Sequence, residues 1–457
     1  MNPIRLNLTF IYLGYFFACQ TCDAQNAVVQ QPTFGVSIDA DGVLFAKEFP
    51  GGADLIRARV AASKARLDAK IIHPTKRRYV SLRLLDDAIE KRLSDGLQPT
   101  EEMLKLVGLL RIEFVFAFPD KNDIVIAGPA EGWIESPAKH TVGIQSGLPT
   151  LLLQDLTTAL QVFSRDRPAN QWFGCSIGPS HNSMQRLQAF NHSIPRTVPQ
   201  GQEAIFAQKI LKGTRDALGM ASVVTFGIKS ESHMAKRMIE ADYRMKLIGI
   251  GIEPPPIKMS TFYNQIKSPP KEVLQRWWFV PNYERIGISE DRLSANLVGA
   301  GIKLLTENYD RDGKGGMQKS KRKPTAASKS YSDSFTKNFE QIAKLSSSFG
   351  QLRNATDLLV AAAFLQRENL YSKVDWQPKW ISDQRIEYGS RLPIKSAPCL
   401  VNSKWKGRRF FTLAGGGISI APFEAFKPDN LLTISKRTFA ANRPAEIGDG
   451  RWWWDAK

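Results

Sequence analysis

The sequence of 457 residues contains few histidines, few cysteines and fewer acidic than basic residues. Its five histidines show no i, i+4 pairing, so the sequence indicates no zinc site, and we expect neither a metal nor another cofactor. Four cysteines are too few for a disulfide-rich scaffold. With 23% charged residues and 26 prolines, the composition matches neither a disordered polymer nor collagen. The chain therefore suits a folded protein of about two to three domains.

The first 24 residues are typical of a secretory signal peptide. Arg5 precedes a mostly apolar stretch from Leu6 to Ala18, and the small residue Ala24 offers a cleavage position. This stretch is shorter than the about 20 residues of a membrane span, and we expect no transmembrane span in the mature chain. Lipoprotein anchoring through Cys19 is the alternative. Either form predicts an exported protein that is periplasmic or extracellular.

Removal of residues 1–24 leaves two cysteines, Cys175 and Cys399. In an oxidising compartment these two residues are candidates for a disulfide. Two free thiols remain the alternative, because cysteine is among the most frequently buried residue types.

Strand-like and helical segments are mixed along the chain, which predicts an α+β fold. Turn residues at 39–42 and 119–122 separate apolar strands and predict two hairpins. The apolar run 247–252 predicts a strand, and residues 276–298 predict an antiparallel meander. Seven basic residues with glycines, serines and one proline follow, which predicts a flexible basic tether.

These segments predict an order of parts along the chain. The body has two possible subdomains, near residues 33–165 and 170–306. The predicted parts are a signal peptide (1–24), an α+β body (25–306), a flexible basic linker (307–330) and a helical pair with a small β tail (331–457).

The segment Gly174-Cys175-Ser176-Ile177-Gly178 fits the nucleophile-elbow pattern, in which a serine stands between a strand and a helix. It makes a secreted serine hydrolase with Ser176 as nucleophile the alternative function. The histidines that follow, at positions 181, 192 and 233, leave little room for the acid-bearing strands of that fold. The pattern is short, and we treat it as the weaker hypothesis.

The leading hypothesis is a non-enzymatic protein of the cell envelope with a binding or structural role. The net charge of +18 and the ten tryptophans favour an envelope polymer, an acidic glycan or a partner protein as ligand. The sequence contains no dedicated nucleic-acid motif.

Two places in the chain carry candidate binding residues. Glu131 and Trp133 follow a strand in a glycine-punctuated loop, where stiff backbone favours recognition. Asp242 and Arg244 add a charged cluster near the end of a helix. The alternative is structural: the loop is a corner plugged by Trp133, and Asp242 caps the helix or pairs with a neighbour.

Several segments together resemble a large secreted family of unknown function found in planctomycete bacteria. The resemblance implies export and a similar architecture, but it implies no reaction and no catalytic residue. The segments that carry it are 35–43, Ile124-Val125, Ala127-Gly128-Pro129-Ala130-Glu131-Gly132-Trp133, Cys175-Ser176-Ile177, Ala241-Asp242-Tyr243-Arg244-Met245-Lys246, Trp278-Phe279-Val280-Pro281, Gln351-Leu352-Arg353-Asn354 and Gly415-Gly416-Gly417.

Overall fold

The computed structural model describes residues 33–50, 52–164, 172–195, 201–267, 274–306, 309–311, 317–319, 321, 323–380, 385–389, 392–406, 408–447 and 450–456. The predicted signal peptide and Cys19 lie outside the described residues. Helices and several sheets alternate through the described ranges, which confirms the α+β class.

Within the described ranges, the strands fall into two large sheets and three small two-stranded ones. The strands are β1 (Thr33–Ile38), β2 (Leu44–Phe49), β3 (Thr75–Ser81), β4 (Phe114–Phe118), β5 (Asp123–Ala130), β6 (Trp133–Glu135), β7 (Thr141–Gly143), β8 (Phe173–Pro179), β9 (Met220–Phe226), β10 (Leu274–Asn282), β11 (Arg285–Ser289), β12 (Ser294–Val298), β13 (Gly301–Leu305), β14 (Tyr309–Arg311), β15 (Met317–Lys319), β16 (Ser396–Pro398), β17 (Val401–Lys406), β18 (Arg408–Ile420), β19 (Leu431–Ile434) and β20 (Trp453–Asp455).

The helices lie between and over these sheets. They are α1 (Ala53–Arg66), α2 (Ala69–Ile72), α3 (Leu82–Ser94), α4 (Glu101–Leu104), α5 (Leu153–Val162), α6 (His181–Ser193), α7 (Glu203–Leu218), α8 (His233–Gly249), α9 (Phe262–Gln265), α10 (Ala326–Lys337), α11 (Phe339–Leu345), α12 (Ser347–Arg367), α13 (Leu370–Lys373) and α14 (Lys436–Ala440).

Both predicted hairpins are confirmed. Strands β1 and β2 pair around residues 39–42, where the Asp39 carboxylate accepts hydrogen bonds from the backbone N–H groups of Asp41 and Val43. Strands β4 and β5 pair around residues 119–122, where Asn122 has the left-handed φ of 51°. The local turn chemistry therefore determines both hairpins.

The central sheet has the strand order β13-β10-β18-β8-β9-β16, and β17 extends it as the antiparallel partner of β18. Strand β18 runs parallel to β10 and antiparallel to β8. Its bend depends on Gly416, which has a φ of 106° and whose Cβ, if present, would lie 1.9 Å from the Trp277 carbonyl oxygen. The central sheet thus combines strands that the sequence assigned to the body and to the β tail.

The second large sheet, the side sheet, has the order β19-β11-β12-β4-β5-β3-β20. The predicted meander over residues 276–298 is wrong in one respect, because β10 lies in the central sheet whereas β11 and β12 lie in the side sheet. The chain turns between the sheets at Tyr283, whose hydroxyl donates to Asp357 Oδ1 over 2.7 Å. A tertiary contact therefore separates strands that are adjacent in sequence.

Helices α8 and α12 pack against each other, and α8 lies against β8 and β18 of the central sheet. The predicted strand at 247–252 is wrong, because α8 continues to Gly249. A Cβ at Gly249 would lie 2.8 Å from Tyr331 and 2.9 Å from Trp277, so the glycine permits close packing of the helix on these rings. The apolar run is buried helix rather than strand.

The predicted flexible linker is also wrong at its C-terminal end. Residues 326–330 form the first turns of α10, which begins behind Thr325, whose side chain accepts a hydrogen bond from Ser328 N. The Ser328 hydroxyl is buried and accepts a 2.9 Å hydrogen bond from Trp277 Nε1. An N-cap and a buried tertiary contact order this part of the chain.

Within the described ranges, the structure contains no helix with both the length and the apolar character needed to cross a membrane.

Candidate functional site

Ser176 lies inside strand β8 and not at a sharp strand-to-helix turn. Its backbone is paired with Gly417 on one side and Val224 on the other, and α6 begins only at His181 behind the N-cap Ser180. The Ser176 hydroxyl donates to the carbonyl oxygen of Gly416 over 3.0 Å. The elbow pattern therefore does not produce an elbow, which requires the serine to project from a turn.

Glu131 is 2% exposed and binds its own loop. Its carboxylate accepts hydrogen bonds from the backbone N–H groups of Gln145 and Ser146, at 2.8 and 2.9 Å, and from the Ser146 hydroxyl. A Cβ at Gly143 would lie 2.0 Å from Glu131 Oε1, so glycine makes room for the carboxylate. Glu131 therefore closes the loop around residues 143–148 and does not face solvent.

Trp133 is 1% exposed and fills the same corner. Its indole Nε1 donates to Glu101 Oε1 over 2.9 Å, and its carbonyl oxygen accepts from the Ser63 hydroxyl. Glu131 and Trp133 are thus both buried in the same corner of the protein. Neither side chain is placed to recognise a ligand at the surface.

Asp242 lies on α8 and forms a buried ion pair with Lys246, one helical turn later. Lys246 Nζ donates to Asp242 Oδ2 over 2.7 Å, to the Ile177 carbonyl over 2.8 Å and to the Gly416 carbonyl over 3.3 Å. Burial raises the pKa of Asp242 to about 6, and the Lys246 charge limits the increase. The pair ties α8 to strands β8 and β18.

Arg244 lies on the opposite side of α8 and is 4% exposed. Its guanidinium contacts Glu253, with a shortest distance of 2.7 Å, and donates to the hydroxyls of Ser346 and Ser348 over 2.8 and 2.9 Å. Burial raises the pKa of Glu253, and the Arg244 charge opposes this effect. Arg244 therefore joins α8 to the start of α12.

His140, Glu240 and Ser347 form a cluster that resembles a catalytic triad in composition. His140 Nδ1 lies 2.6 Å from Ser347 Oγ, and His140 Nε2 lies 3.3 Å from Glu240 Oε2. However, Arg237 Nη1 lies only 2.6 Å from His140 Nε2 and 2.5 Å from the Glu240 carboxylate. Arg237 thus inserts between the imidazole and the acid.

This contact sets the polarity of the imidazole. Burial lowers the pKa of His140, so the ring is neutral and its Nε2 accepts the Arg237 N–H. Nδ1 then carries the proton and donates to Ser347 Oγ. A general base needs the opposite arrangement, in which the imidazole nitrogen accepts the serine proton. The cluster is therefore a structural network, and it carries no nucleophile.

Four charged or titratable residues of α8 lie on one helical face: His233, Arg237, Glu240 and Arg244. At its outer end, His233 Nδ1 lies 2.9 Å from Asp155 Oδ2 of α5. Burial would raise the pKa of Glu240, but the charge of Arg237 and the hydrogen bond from the Ser348 hydroxyl hold it well below its ordinary value. The i, i+4, i+7, i+11 spacing is the sequence signal of this network. Of its four residues, only Arg244 was predicted from the sequence as a candidate binding residue.

No disulfide joins the described residues Cys175 and Cys399, which corrects the pairing suggested from the sequence. Cys175 pairs with Thr225 of β9, whereas Pro398, next to Cys399, pairs with Met220 at the other end of β9. Five residues of strand separate the two positions, which corresponds to roughly 17 Å. A disulfide requires Cα atoms within about 7 Å.

A surface groove of about 400 Å³ lies along strands β10 and β13 of the central sheet, on the face opposite to the side chain of Phe279. Phe279 packs on Phe335 and Phe349, whereas its neighbour Val280 points to the opposite face with Lys303, its partner on β13. The lining residues are Trp172, Val280, Pro281, Asn282, Tyr283, Lys303, Leu305, Ser419, Ala421, Glu424, Ala425, Lys427 and Asn430. The volume is within the range of about 300–1,000 Å³ that is typical of ligand sites.

Trp172, Asn282 and Lys303 are half-buried and bring an indole, an amide and an ammonium group to the groove. Lys303 forms no ion pair with a residue that the structure describes. Lys427, at the rim, forms an exposed pair with Glu424. The groove therefore combines an aromatic surface, amide groups and a cation that no described acid pairs with.

Metal ligation has no support in the part of the chain that the structure describes, where no cluster of three or more His, Cys, Asp and Glu residues has a suitable arrangement.

Residues 175–262 match a family model described as a protein of unknown function, DUF1598. The match covers less than a quarter of the chain and includes β8, β9 and α8 with Asp242, Arg244 and Lys246. No curated protein and no solved structure matches the chain. The match agrees with the resemblance to an uncharacterised family and assigns no activity.

Proposed function

We propose that this chain is an exported, non-enzymatic protein of the cell envelope that binds an acidic glycan in the groove lined by Trp172. The groove is the observation that carries the proposal. The net charge of +18 and the resemblance to a secreted planctomycete family support the choice of an extracytoplasmic polyanion as ligand.

The three accessible groups of the groove match the chemistry of a charged sugar. The apolar face of an indole packs against the C–H groups of a pyranose ring. The Asn282 amide both donates and accepts, which suits vicinal hydroxyls. The Lys303 ammonium attracts a carboxylate. A neutral sugar would use only the first two groups.

The described nucleophile candidates favour binding over catalysis. The Ser176 hydroxyl donates a hydrogen bond to a main-chain carbonyl, and the Ser347 hydroxyl oxygen accepts a hydrogen bond from His140. Neither serine lies beside a base that can take its proton. A serine hydrolase using Ser176 stays the alternative, and a fluorophosphonate probe tests it: labelling of the wild type that is lost in Ser176→Ala would replace our proposal.

Binding is best measured with the chain starting at Gln25 and a short oligogalacturonate, with a neutral maltooligosaccharide of the same length as control. We expect binding of the acidic oligomer only, with a loss of about tenfold or more in Trp172→Ala, as for a tryptophan anchor. Lys303→Ala should weaken binding about fivefold, and more at low salt, because the contact is electrostatic. Equal binding of both sugars would refute the role of Lys303.

The matched control is Lys209→Ala, which removes an equal charge from the exposed surface of α7. It should bind like the wild type. If Lys209→Ala and Lys303→Ala weaken binding equally, the net charge and not the groove attracts the polymer.

Export requires a separate test. N-terminal sequencing of cell-envelope material should give a mature chain that begins near Gln25. An acylated Cys19 would indicate the lipoprotein form, and an intact Met1 on cytosolic protein would refute export.

A further inference from the structure

A second open surface lies beyond the edge strand β13, on α10. The inference drawn from it rests on the proposed function. We propose that the acidic glycan extends from the groove across the edge of β13 onto a basic shelf on α10. The shelf is a shallow, open depression with a volume of about 470 Å³. It is lined by Ser260, Ala326, Lys329, Ser330, Asp333, Ser334 and Lys337.

Helix α10 lies directly along β13, which brings the two surfaces together. Thr336 Oγ1 accepts a 2.9 Å hydrogen bond from Leu304 N, and the Thr336 hydroxyl lies 3.4 Å from the Leu304 carbonyl oxygen. Lys303 of the groove is the neighbour of Leu304, and Lys337 of the shelf is the neighbour of Thr336. Two peptide steps and this contact place the two lysine Cα atoms within about 14 Å of each other.

The same contact protects the edge of β13 from pairing with another strand. The Thr336 side chain occupies backbone hydrogen-bonding groups of Leu304 that an added strand would need. The edge is thus closed to β-augmentation, while the side chains above it stay accessible.

The shelf provides charge without an aromatic surface. Lys337 is exposed and forms no ion pair with a described residue, and Lys329 pairs with Asp333 at side-chain exposures of 63% and 61%. An exposed pair of this kind contributes about 1 kcal/mol or less to stability. A ligand carboxylate can therefore replace Asp333 as the partner of Lys329 with little loss of free energy. The hydroxyls of Ser330 and Ser334 offer further hydrogen bonds to sugar oxygens.

These features define the ligand more narrowly than the groove alone. A ligand that gains from both surfaces carries a negative charge on successive sugars and is long enough to cross β13. A polymer of uronic acids has this property, whereas a single charged sugar fills only the groove. The two surfaces then act as linked sites, and the affinity rises with oligomer length.

The test compares a trimer and a dodecamer of galacturonic acid on three forms of the chain from Gln25. For the wild type, we expect the dodecamer to bind at least about tenfold more tightly per molecule than the trimer. The double variant Lys329→Ala, Lys337→Ala should lose about five- to twentyfold for the dodecamer and change less than about twofold for the trimer. Lys303→Ala should weaken both oligomers.

The outcomes separate this inference from the proposed function. If the trimer binds at the groove but the double variant binds the dodecamer like the wild type, the continuation is refuted and the groove stands. If neither oligomer binds the wild type, both proposals fail. A single-stranded DNA dodecamer that binds more tightly than the sugar, with the same dependence on Lys329 and Lys337, would also refute the glycan.

Discussion

Replacing Lys246 by methionine tests how strongly the buried ion pair of α8 holds this helix to the central sheet. Methionine keeps most of the apolar stem and removes the ammonium. The Asp242 carboxylate and the Ile177 carbonyl oxygen then lose their Lys246 donor, whereas the Gly416 carbonyl oxygen keeps the Ser176 hydroxyl. The change therefore leaves the surrounding packing close to that of the wild type.

Two contributions to the loss follow from the structure. Without Lys246, the pKa of the buried Asp242 rises further, because burial then acts without the opposing Lys246 charge, so burying this carboxylate at pH 7 costs more than in the wild type. The Ile177 carbonyl, which loses the Lys246 donor, adds about 1–3 kcal/mol. The expected decrease in the free energy of unfolding is about 3–5 kcal/mol, which agrees with the usual effect of breaking a buried pair.

The contribution of Asp242 to the free energy of unfolding depends on pH, and the direction of this dependence follows from its raised pKa. Asp242 has a folded pKa above its unfolded value of about 3.8, so its contribution to stability is present below pH 3.8 and is lost as the pH rises. In the wild type this loss ends near pH 6, whereas in Lys246→Met it continues to higher pH. The difference between the two proteins is therefore larger at pH 7 than at pH 5.

Urea unfolding at pH 5, 6 and 7, followed by circular dichroism, measures this difference. Adding Asp242→Asn to Lys246→Met should remove the pH dependence and leave the other contribution. The matched control is Lys329→Met, which breaks an exposed i, i+4 pair on α10 and should change stability by less than about 0.5 kcal/mol. If Lys246→Met costs no more than this control, or the same amount at pH 5 and pH 7, the reasoning is refuted.

Three further predictions concern stability and chemistry. Glu131→Ala should lower the free energy of unfolding by about 2–4 kcal/mol, because the backbone N–H groups of residues 145 and 146 lose their charged acceptor. The folded variant should bind acidic oligomers like the wild type, and an unchanged stability in urea would contradict the corner assignment. Gly416→Ala should prevent stable folding or lower the free energy of unfolding by more than about 3 kcal/mol, since the new Cβ would lie 1.9 Å from a carbonyl oxygen. The control is Gly178→Ala, which should have a small effect because nothing lies within 4 Å of the new Cβ. The denatured, unreduced chain from Gln25 should give two thiols in a colorimetric titration, whereas a count of zero would establish the disulfide between Cys175 and Cys399 that the structure lacks.

Local signals in the sequence were sufficient for the elements whose ends depend on nearby residues. The hairpins at 39–42 and 119–122 follow from turn residues, which act over a few positions. The strand predicted at 247–252 was wrong because a short apolar run has the same appearance in a buried helix, and only the contact of Gly249 with Trp277 decides between them.

The site depended on contacts between distant parts of the chain, which the sequence pattern does not specify. Glu131 and Trp133 were selected because stiff loops favour recognition, yet the same stiffness serves a buried corner. The groove combines Trp172, Asn282 and Lys303 with residues near 424–430, more than a hundred positions later. No local motif relates these residues, because their proximity arises from the strand order of the central sheet.

The position of β18 between β10 and β8 determines when the protein can fold during its synthesis. Strands β8 and β10 leave the ribosome long before residues 408–420 exist, and until then neither has its neighbour on that side. Domains usually fold as units from the N-terminus during synthesis, but here the central sheet closes only through a contact of high sequence separation, which is slow to form. A chain that ends before residue 420 therefore exposes two long hydrophobic strand edges, so shortened products should aggregate or be degraded rather than persist as partly active fragments.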